Sequence, residues 1–272
     1  MNFSEHDIYK AIEEQQPVGF YRWLGASVIG HNCRRYIALQ FRCAFDQKFS
    51  ARILRVFENG HKAEDRIVSD LMKAGVEVTD QQKMIDIPGA LGHAGVTLDG
   101  IVVYKGERGV LEMKTSKSTD WNKLHKSGVK EAKRQHYCQM QFGMLLTGLR
   151  FALYVSENKD TNELHVEVVP FNQSMADDLV SLALGVVANP TPSMLTKCSE
   201  RDDWYECNYC SAKSICKGDA LPRVHCLTCA HSRAVGGGKW TCELYKSEIP
   251  GDHLSKGCSN HIYLPWMVNR KM

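Results

Sequence analysis

Three side chains stand out for the chemistry they can do together. Twelve residues separate Asp99 from Glu112, and Lys114 follows Glu112 after one residue. Two carboxylates and an ammonium held at one place suit hydrolysis of a phosphodiester. Hard divalent cations such as Mg²⁺ prefer oxygen ligands and commonly take one or two carboxylates, leaving the other positions to water and substrate phosphate. Asp99, Glu112 and the backbone carbonyl of Met113 are the expected ligands of Mg²⁺ or Mn²⁺. Lys114 is expected to position or deprotonate the attacking water and to neutralise charge growing on the phosphate.

Such a cluster needs a rigid carrier, and the local sequence supplies one. Two β-rich runs, 96–104 and 110–115, flank Lys105-Gly106-Glu107-Arg108-Gly109, so the arms are expected to pair antiparallel through a Gly-containing loop. Asp99 falls in the first arm. In the second arm the side-chain period of two puts Glu112 and Lys114 on one face and Leu111 and Met113 on the other. Charged alternation also occurs on ordinary half-exposed hairpins, so the assignment depends on the surrounding residues.

Upstream, Ser27 is placed to cap a helix containing Cys33, Tyr36, Ile37 and Phe41. The spacing of Ile53, Leu54, Phe57, Ala63, Ile67, Val68 and Leu71 fits one or two amphipathic helices over 53–74, with Gly60 as a close-packing point and Gly75 as the stop. Residues 76–87 read as a strand ended by Pro88-Gly89. Downstream, 135–149 reads as a helix ending near Gly148, 151–156 and 164–169 as paired strands, and 175–187 as a further helix before Asn189-Pro-Thr-Pro192. The sum is a mixed α/β core. Between hairpin and helix, Lys117, Lys123, Lys126, Lys130, Lys133 and Arg134 face only Asp120 and Glu131. That bias suits a phosphate backbone, with affinity falling steeply in salt. Ser127-Gly128 is expected to interrupt one continuous basic face.

The order of these features resembles the PD-(D/E)XK nuclease superfamily. Asp99 and Glu112-Met113-Lys114 match its signature, with Leu98 where Pro is usual. Gly60-His-Lys-Ala-Glu64 is similar to the helical first motif of the RecB-like and phage exonuclease branches, which makes Glu64 a further metal ligand; His61 is a neighbouring candidate. Gln135-His-Tyr-Cys-Gln139 resembles the helix whose Gln follows the Lys in that branch. Gln139 is the matching residue, although Gly143 stands where Tyr is usual. The resemblance covers most of residues 25–218. It implies a restriction-endonuclease-like core, a central mixed sheet flanked by helices, and a role for Gln139 in orienting Lys114 or the substrate.

Beyond the helices the chain becomes rich in cysteine. Cys207-x₂-Cys210-x₅-Cys216 supplies three thiolates, one short of the set that closes an iron–sulfur cluster or a structural zinc site. In RecB-like iron–sulfur nucleases a triple of this spacing joins one cysteine far upstream to hold a [4Fe–4S] cluster. The upstream match is Cys33; Cys43 and Cys198 are alternatives, and a zinc site using Cys198 is another reading. Farther on, Cys226-x₂-Cys229, Cys242 and Cys258 are expected to form a small zinc module, with His231, His253 or His261 able to replace a cysteine. Trp240 and Tyr245 either pack its core or stack on bases.

The chain has 272 residues, enough for a substantial core in one or two domains. Its formal charge of +3 is too small to establish a nucleic-acid partner, so the distribution of charge carries more weight than the total. No apolar run approaches a membrane span and the N-terminus lacks a signal-peptide pattern, so no membrane partner and a cytoplasmic location are expected, in a bacterial host if the protein is phage-encoded. Eleven cysteines in such a compartment point to metal rather than a disulfide framework. The expected organisation is an N-terminal helix and connector over 1–24, a nuclease core closed by the cluster over 25–218, and a zinc-binding module over 219–272. The expected activity is a metal-dependent DNA exonuclease acting on linear duplex ends in phage recombination or replication, beside a strand-annealing or single-strand-binding partner. The exonuclease role and the partner rest on the resemblance alone. A structure-selective or single-strand endonuclease and a catalytically inactive DNA-binding accessory protein are the alternatives.

Overall fold

The alternation of Leu111 and Met113 with Glu112 and Lys114 is realised in a strand of ten residues, the longest among the described residues. A computed structural model describes residues 3–16 and 23–268. The elements begin with α1 (Glu5–Glu14), β1 (Leu24–Gly25), α2 (Ala26–Ile29), α3 (Arg34–Phe41), α4 (Ala51–Lys73), β2 (Glu77–Thr79), β3 (Met84–Asp86) and β4 (Ala94–Thr97). Next come β5 (Gly100–Tyr104), β6 (Glu107–Ser116), α5 (Ser118–Ala132), α6 (Arg134–Thr147), β7 (Phe151–Asn158), β8 (Leu164–Pro170) and α7 (Gln173–Val187). The last are α8 (Lys213–Cys216), β9 (Ser232–Val235), β10 (Lys239–Cys242) and β11 (Ser247–Glu248). The architecture is mixed α/β. Among the described residues no helix is long and apolar enough to cross a membrane.

The chain divides into two units that interleave along the sequence. In the first, made from the N-terminal helix with Gln47–Lys83 and Leu98–Asn172, a five-stranded sheet runs β2-β5-β6-β7-β8. Only β6 and β7 are parallel; the other pairs are antiparallel. Ile67, Val68 and Leu71 of α4 pack with Val102, Leu111, Met113 and Val155, so one face of β6 is buried in apolar core. On the opposite face α6 comes close because residue 143 is glycine. A Cβ there would meet Leu98 Cδ2 at 3.2 Å and Val110 Cγ1 at 3.3 Å. The same face of β6 carries Glu112 and Lys114.

The hairpin exists, with two corrections. Its loop is only Lys105 and Gly106, since Tyr104 already pairs with Glu107. Both loop residues have positive φ, 52° and 85°, which matches the strand twist of a two-residue hairpin. The run 96–104 is not one arm: β4 pairs with β1 and β3 in another sheet, and the chain enters β5 only after Asp99. Residues 76–87 likewise split into β2 and β3, which join different sheets. Over 51–73 there is one helix rather than two. Gly60 sits within it with open space around its α-carbon, so it is not a close-packing point. Gly75 ends the segment at φ +80° as expected.

Gly128 breaks α5, with φ 74° and ψ 167°. The freed backbone N–H of Val129 donates to the Glu167 carboxylate at 2.8 Å, which satisfies the interrupted helix. Gly148, at φ 72°, closes α6 in the left-handed conformation.

The second unit is made of the described residues of 20–46 and 173–272 together with Met84–Thr97. Here β1-β4-β3 form a small mixed sheet beside α2, α3 and α7, and β11-β10-β9 form an antiparallel one. Ser27 does not cap the helix that follows. It lies inside the single turn of α2, and α3 begins at Arg34 with Cys33 as N-cap, its sulfur accepting from Tyr36 N at 3.4 Å. Between α7 and β9 the backbone runs in short turns with little regular structure. Trp240 of β10 is fully buried against Phe41 and His93, and the Arg42 guanidinium lies 4.8 Å from its ring.

Candidate active site

Asp99 stands at the point where the chain leaves one sheet for another, and its carboxylate is held from two sides. Met113 N donates to Asp99 Oδ2 at 2.7 Å, and Lys114 Nζ lies 3.5 Å from the same oxygen. Lys114 Nζ also pairs with Glu112 Oε1 and donates to the Met113 carbonyl at 3.0 Å. Asp99, Glu112, the Met113 carbonyl and Lys114 thus form one knot. Asp99 and Glu112 are buried, while the Lys114 side chain is half-buried.

Burial dominates the electrostatics. It pushes the Glu112 carboxyl up to about 8, against the pull of Lys114 and with the added repulsion of Asp99. Burial also raises Glu64 of α4, and the neighbouring Asp99 charge raises it further. Glu64 is therefore within electrostatic reach of the knot. For Lys114 burial acts to lower the ammonium pKa, but Glu112 and Asp99 outweigh it and hold the group well above its ordinary value. Three carboxyl groups that repel one another around one ammonium make an oxygen-rich, electron-rich donor set, which suits a hard divalent cation.

The parallel pairing of β6 with β7 adds residues that spacing could not reveal. Glu112 stands in register with Tyr154 and Lys114 with Ser156. The Tyr154 hydroxyl lies 2.9 Å from His136 Nδ1 on α6. Burial, followed by the charges of Lys114 and Lys133, depresses His136 to about 3, so this imidazole is neutral across the working range. Gln139, one turn farther along α6, is buried as well. The only advance sign of His136 was its place in the stretch ending at Gln139. Tyr154 gave none, because its neighbour Glu112 is 42 residues away and is brought beside it only by strand register.

The basic segment is divided by its own contacts. Lys117, Lys123, Lys126, Lys130 and Arg134 are exposed along α5 and the start of α6. Lys133 is not equivalent: it is half-buried and pairs with Asp120 at 3.1 Å, tying the two ends of α5 together.

In the second unit two groups of cysteines form. Cys33 comes together with Cys198, Cys207, Cys210 and Cys216. The Cys198 and Cys207 sulfurs are 4.0 Å apart. Burial, then the charges of Cys33 and Cys207, push the Cys198 thiol up to about 12. Burial raises Cys210 too, with Cys33, Cys207 and Cys216 all contributing. Cys43 instead offers its carbonyl to His225 Nε2 at 2.9 Å. The second group is Cys226, Cys229, Cys242 and Cys258, on the wall of one cavity. All of these thiols are free of disulfides. Among the described residues no three His, Cys, Asp or Glu side chains already stand as a closed metal-donor set.

The family described as YqaJ-like viral recombinase domain matches residues 44–150. That span includes Glu64, Asp99, Glu112, Lys114 and Gln139 and stops short of the cysteine-rich part. Among solved structures, LHK-Exo in complex with dAMP is similar at 19% identity, with a TM-score of 0.45 over 67% of this chain and 91% of that one. A crystal structure of the alkaline exonuclease LHK-Exo from Laribacter hongkongensis gives 18% identity, a TM-score of 0.45 and coverage of 67% and 91%. The crystal structure of SSO0001 gives 17%, a TM-score of 0.47 and coverage of 79% and 97%. No curated protein matches the chain.

Proposed function

We propose that this protein is a metal-dependent DNA exonuclease of PD-(D/E)XK type, acting at linear duplex ends in phage recombination or replication. The observation that carries the reading is the convergence of Asp99, Glu112, the Met113 carbonyl and Lys114 in one knot within reach of Glu64. The match of residues 44–150 to a YqaJ-like viral recombinase domain supports it.

In this reading Glu64, Asp99, Glu112 and the Met113 carbonyl hold Mg²⁺ or Mn²⁺. The cation, when bound, supplies Lewis-acid polarisation of the scissile phosphate and favours the ionised form of Glu112. Lys114 is kept protonated by Glu112 and Asp99, so its role is to orient the attacking water and neutralise charge on the phosphate rather than to remove a proton. Met113 N fixes Asp99 by a hydrogen bond that does not depend on the ion. Gln139 orients Lys114 or the substrate, and the exposed Lys117, Lys123, Lys126, Lys130 and Arg134 follow the phosphate backbone. A strand-annealing or single-strand-binding protein is the expected partner, in the bacterial host cytoplasm.

The first cysteine group suits a [4Fe–4S] cluster in its chemistry: Cys210 feels the charges of Cys33, Cys207 and Cys216, and Cys216 that of Cys33, which supports the four as its ligands. Such a cluster would be a structural staple between the start of α3 and α8. Cys198, beside Cys207, is the alternative fourth ligand. Iron and acid-labile sulfide, measured after anaerobic purification, should be lost in Cys207→Ser and retained in Cys43→Ser.

The deciding experiment is digestion of linear duplex DNA labelled separately at each 5′ and 3′ end, with Mg²⁺, Mn²⁺ or chelator. Progressive, cation-dependent loss from an end supports the exonuclease and gives its polarity. Cleavage of circular or single-stranded DNA instead favours an endonuclease. Salt-sensitive binding without cleavage of any substrate leaves the DNA-binding accessory protein.

A further inference from the structure

We propose that Cys226, Cys229, Cys242 and Cys258 form a second metal site, separate from the iron–sulfur group, that takes one structural Zn²⁺. The four cysteines line a single cavity of about 310 Å³. They arrive on three segments whose backbones are tied together by hydrogen bonds, and the Cys226 sulfur adds a contact to the Lys256 carbonyl at 3.5 Å. Cys229 N donates to the Cys226 carbonyl at 3.1 Å and Ser232 N to the Cys229 carbonyl at 3.2 Å, a tight turn that presents the first pair. Cys226 N donates to the Lys256 carbonyl at 3.2 Å, which draws the segment bearing Cys258 alongside. Pairing of Cys242 with Ser232, together with Glu243 N donating to the His231 carbonyl at 2.8 Å, brings the third segment in at the end of β10.

Ligand type decides the metal. Soft thiolates select zinc over Mg²⁺ or Ca²⁺, and four of them complete a closed tetrahedral shell of the structural kind. Of the three histidines on the same wall, His231, His253 and His261, the last two have other contacts. His261 Nε2 lies 3.1 Å from Thr228 Oγ1, and its ring meets Tyr263 edge-on at 4.6 Å. His253, on the cavity wall, has a side chain 58% exposed beside Asp252. Zinc would draw the four thiols inward from the cavity wall by side-chain rotation, and each ligand gives up its proton, so four protons leave for each ion bound. The need for such a staple is visible in the fold. The sheet β11-β10-β9 has strands of two and four residues, too short to hold long loops by ladder hydrogen bonds alone.

The test is metal analysis of the full-length protein, purified anaerobically, with zinc and iron measured separately. One zinc per chain is expected in the wild type and in His253→Ala and His231→Ala. Cys242→Ser and Cys258→Ser should each lose it while iron is unchanged, whereas Cys207→Ser should lose iron and keep zinc. Should Cys242→Ser fail to fold, Cys258→Ser at the exposed rim and Co²⁺ titration of zinc-stripped wild type carry the test, the latter giving the intense visible bands of tetrahedral cobalt thiolate. Zinc retained in both cysteine variants, iron lost with them, or wild type that neither contains zinc nor gives the cobalt spectrum would each overturn the proposal.

Discussion

The knot of Asp99, Glu112 and Lys114 and the two cysteine groups are held by opposite means. The first is built on a five-stranded sheet with apolar core on one face of β6 and a helix packed close on the other. Each of its side chains has a partner within the chain. The cysteines sit on turns, on one-turn helices and, for Cys242, at the end of the four-residue β10. Where burial and register fix positions, the site is formed before any ion arrives. Where they do not, the ion must itself contribute to folding.

The largest effect that tests this contrast is on turnover. Lys114→Ala should reduce cation-dependent DNA hydrolysis by about 10²–10³-fold, measured on end-labelled duplex, with iron and zinc contents unchanged. An active variant would remove Lys114 from the machinery.

Next in size is stability confined to one region. Cys207→Ser should lower the stability of the cysteine-rich segments by an amount on the order of several kcal/mol. Hydrogen exchange should then show reduced protection in α3 and α8 and retained protection in β6 and β7. Equal loss throughout would mean that the two regions do not differ in the way described.

A smaller effect is the pH dependence of the cation-free protein. The folded Glu112 carboxyl sits near 8 against an ordinary 4.5, so between those values the native state holds a proton that the unfolded chain has released. Unfolding free energy should therefore fall as pH rises through that window. Glu112→Gln should flatten the slope, and Mg²⁺ should do the same by favouring the carboxylate. His136, depressed to about 3, contributes the opposite slope below its ordinary value, equally in both proteins, so the difference between their melting curves isolates Glu112. A slope unchanged by the substitution would refute the assignment.

The smallest is electrostatic. Replacing exposed Lys123, Lys126 or Lys130 by Ala should weaken DNA binding and reduce the slope of log affinity against log salt by about 1 for each phosphate that the variant no longer neutralises. Lys133→Ala should leave that slope unchanged, because Lys133 is committed to Asp120. Equal slopes for all four variants would dissolve the distinction between exposed and committed lysines.

Residue types and spacing by themselves nominated Asp99, Glu112 and Lys114, the alternation that puts Glu112 beside Lys114, one or two helices over 53–74, a helix over 135–149 and the grouping of the late cysteines. These follow from local periodicity, which is written in the chain. Tertiary structure alone decided that the run containing Asp99 is cut between two sheets, that Tyr154 stands beside Glu112 with His136 against its hydroxyl, that Lys133 is committed to Asp120 and that Cys198 joins Cys33 and Cys207. Each of these depends on strand register or on close approach between segments far apart in sequence. Register is set by which faces can be buried together, and no local stretch contains that information.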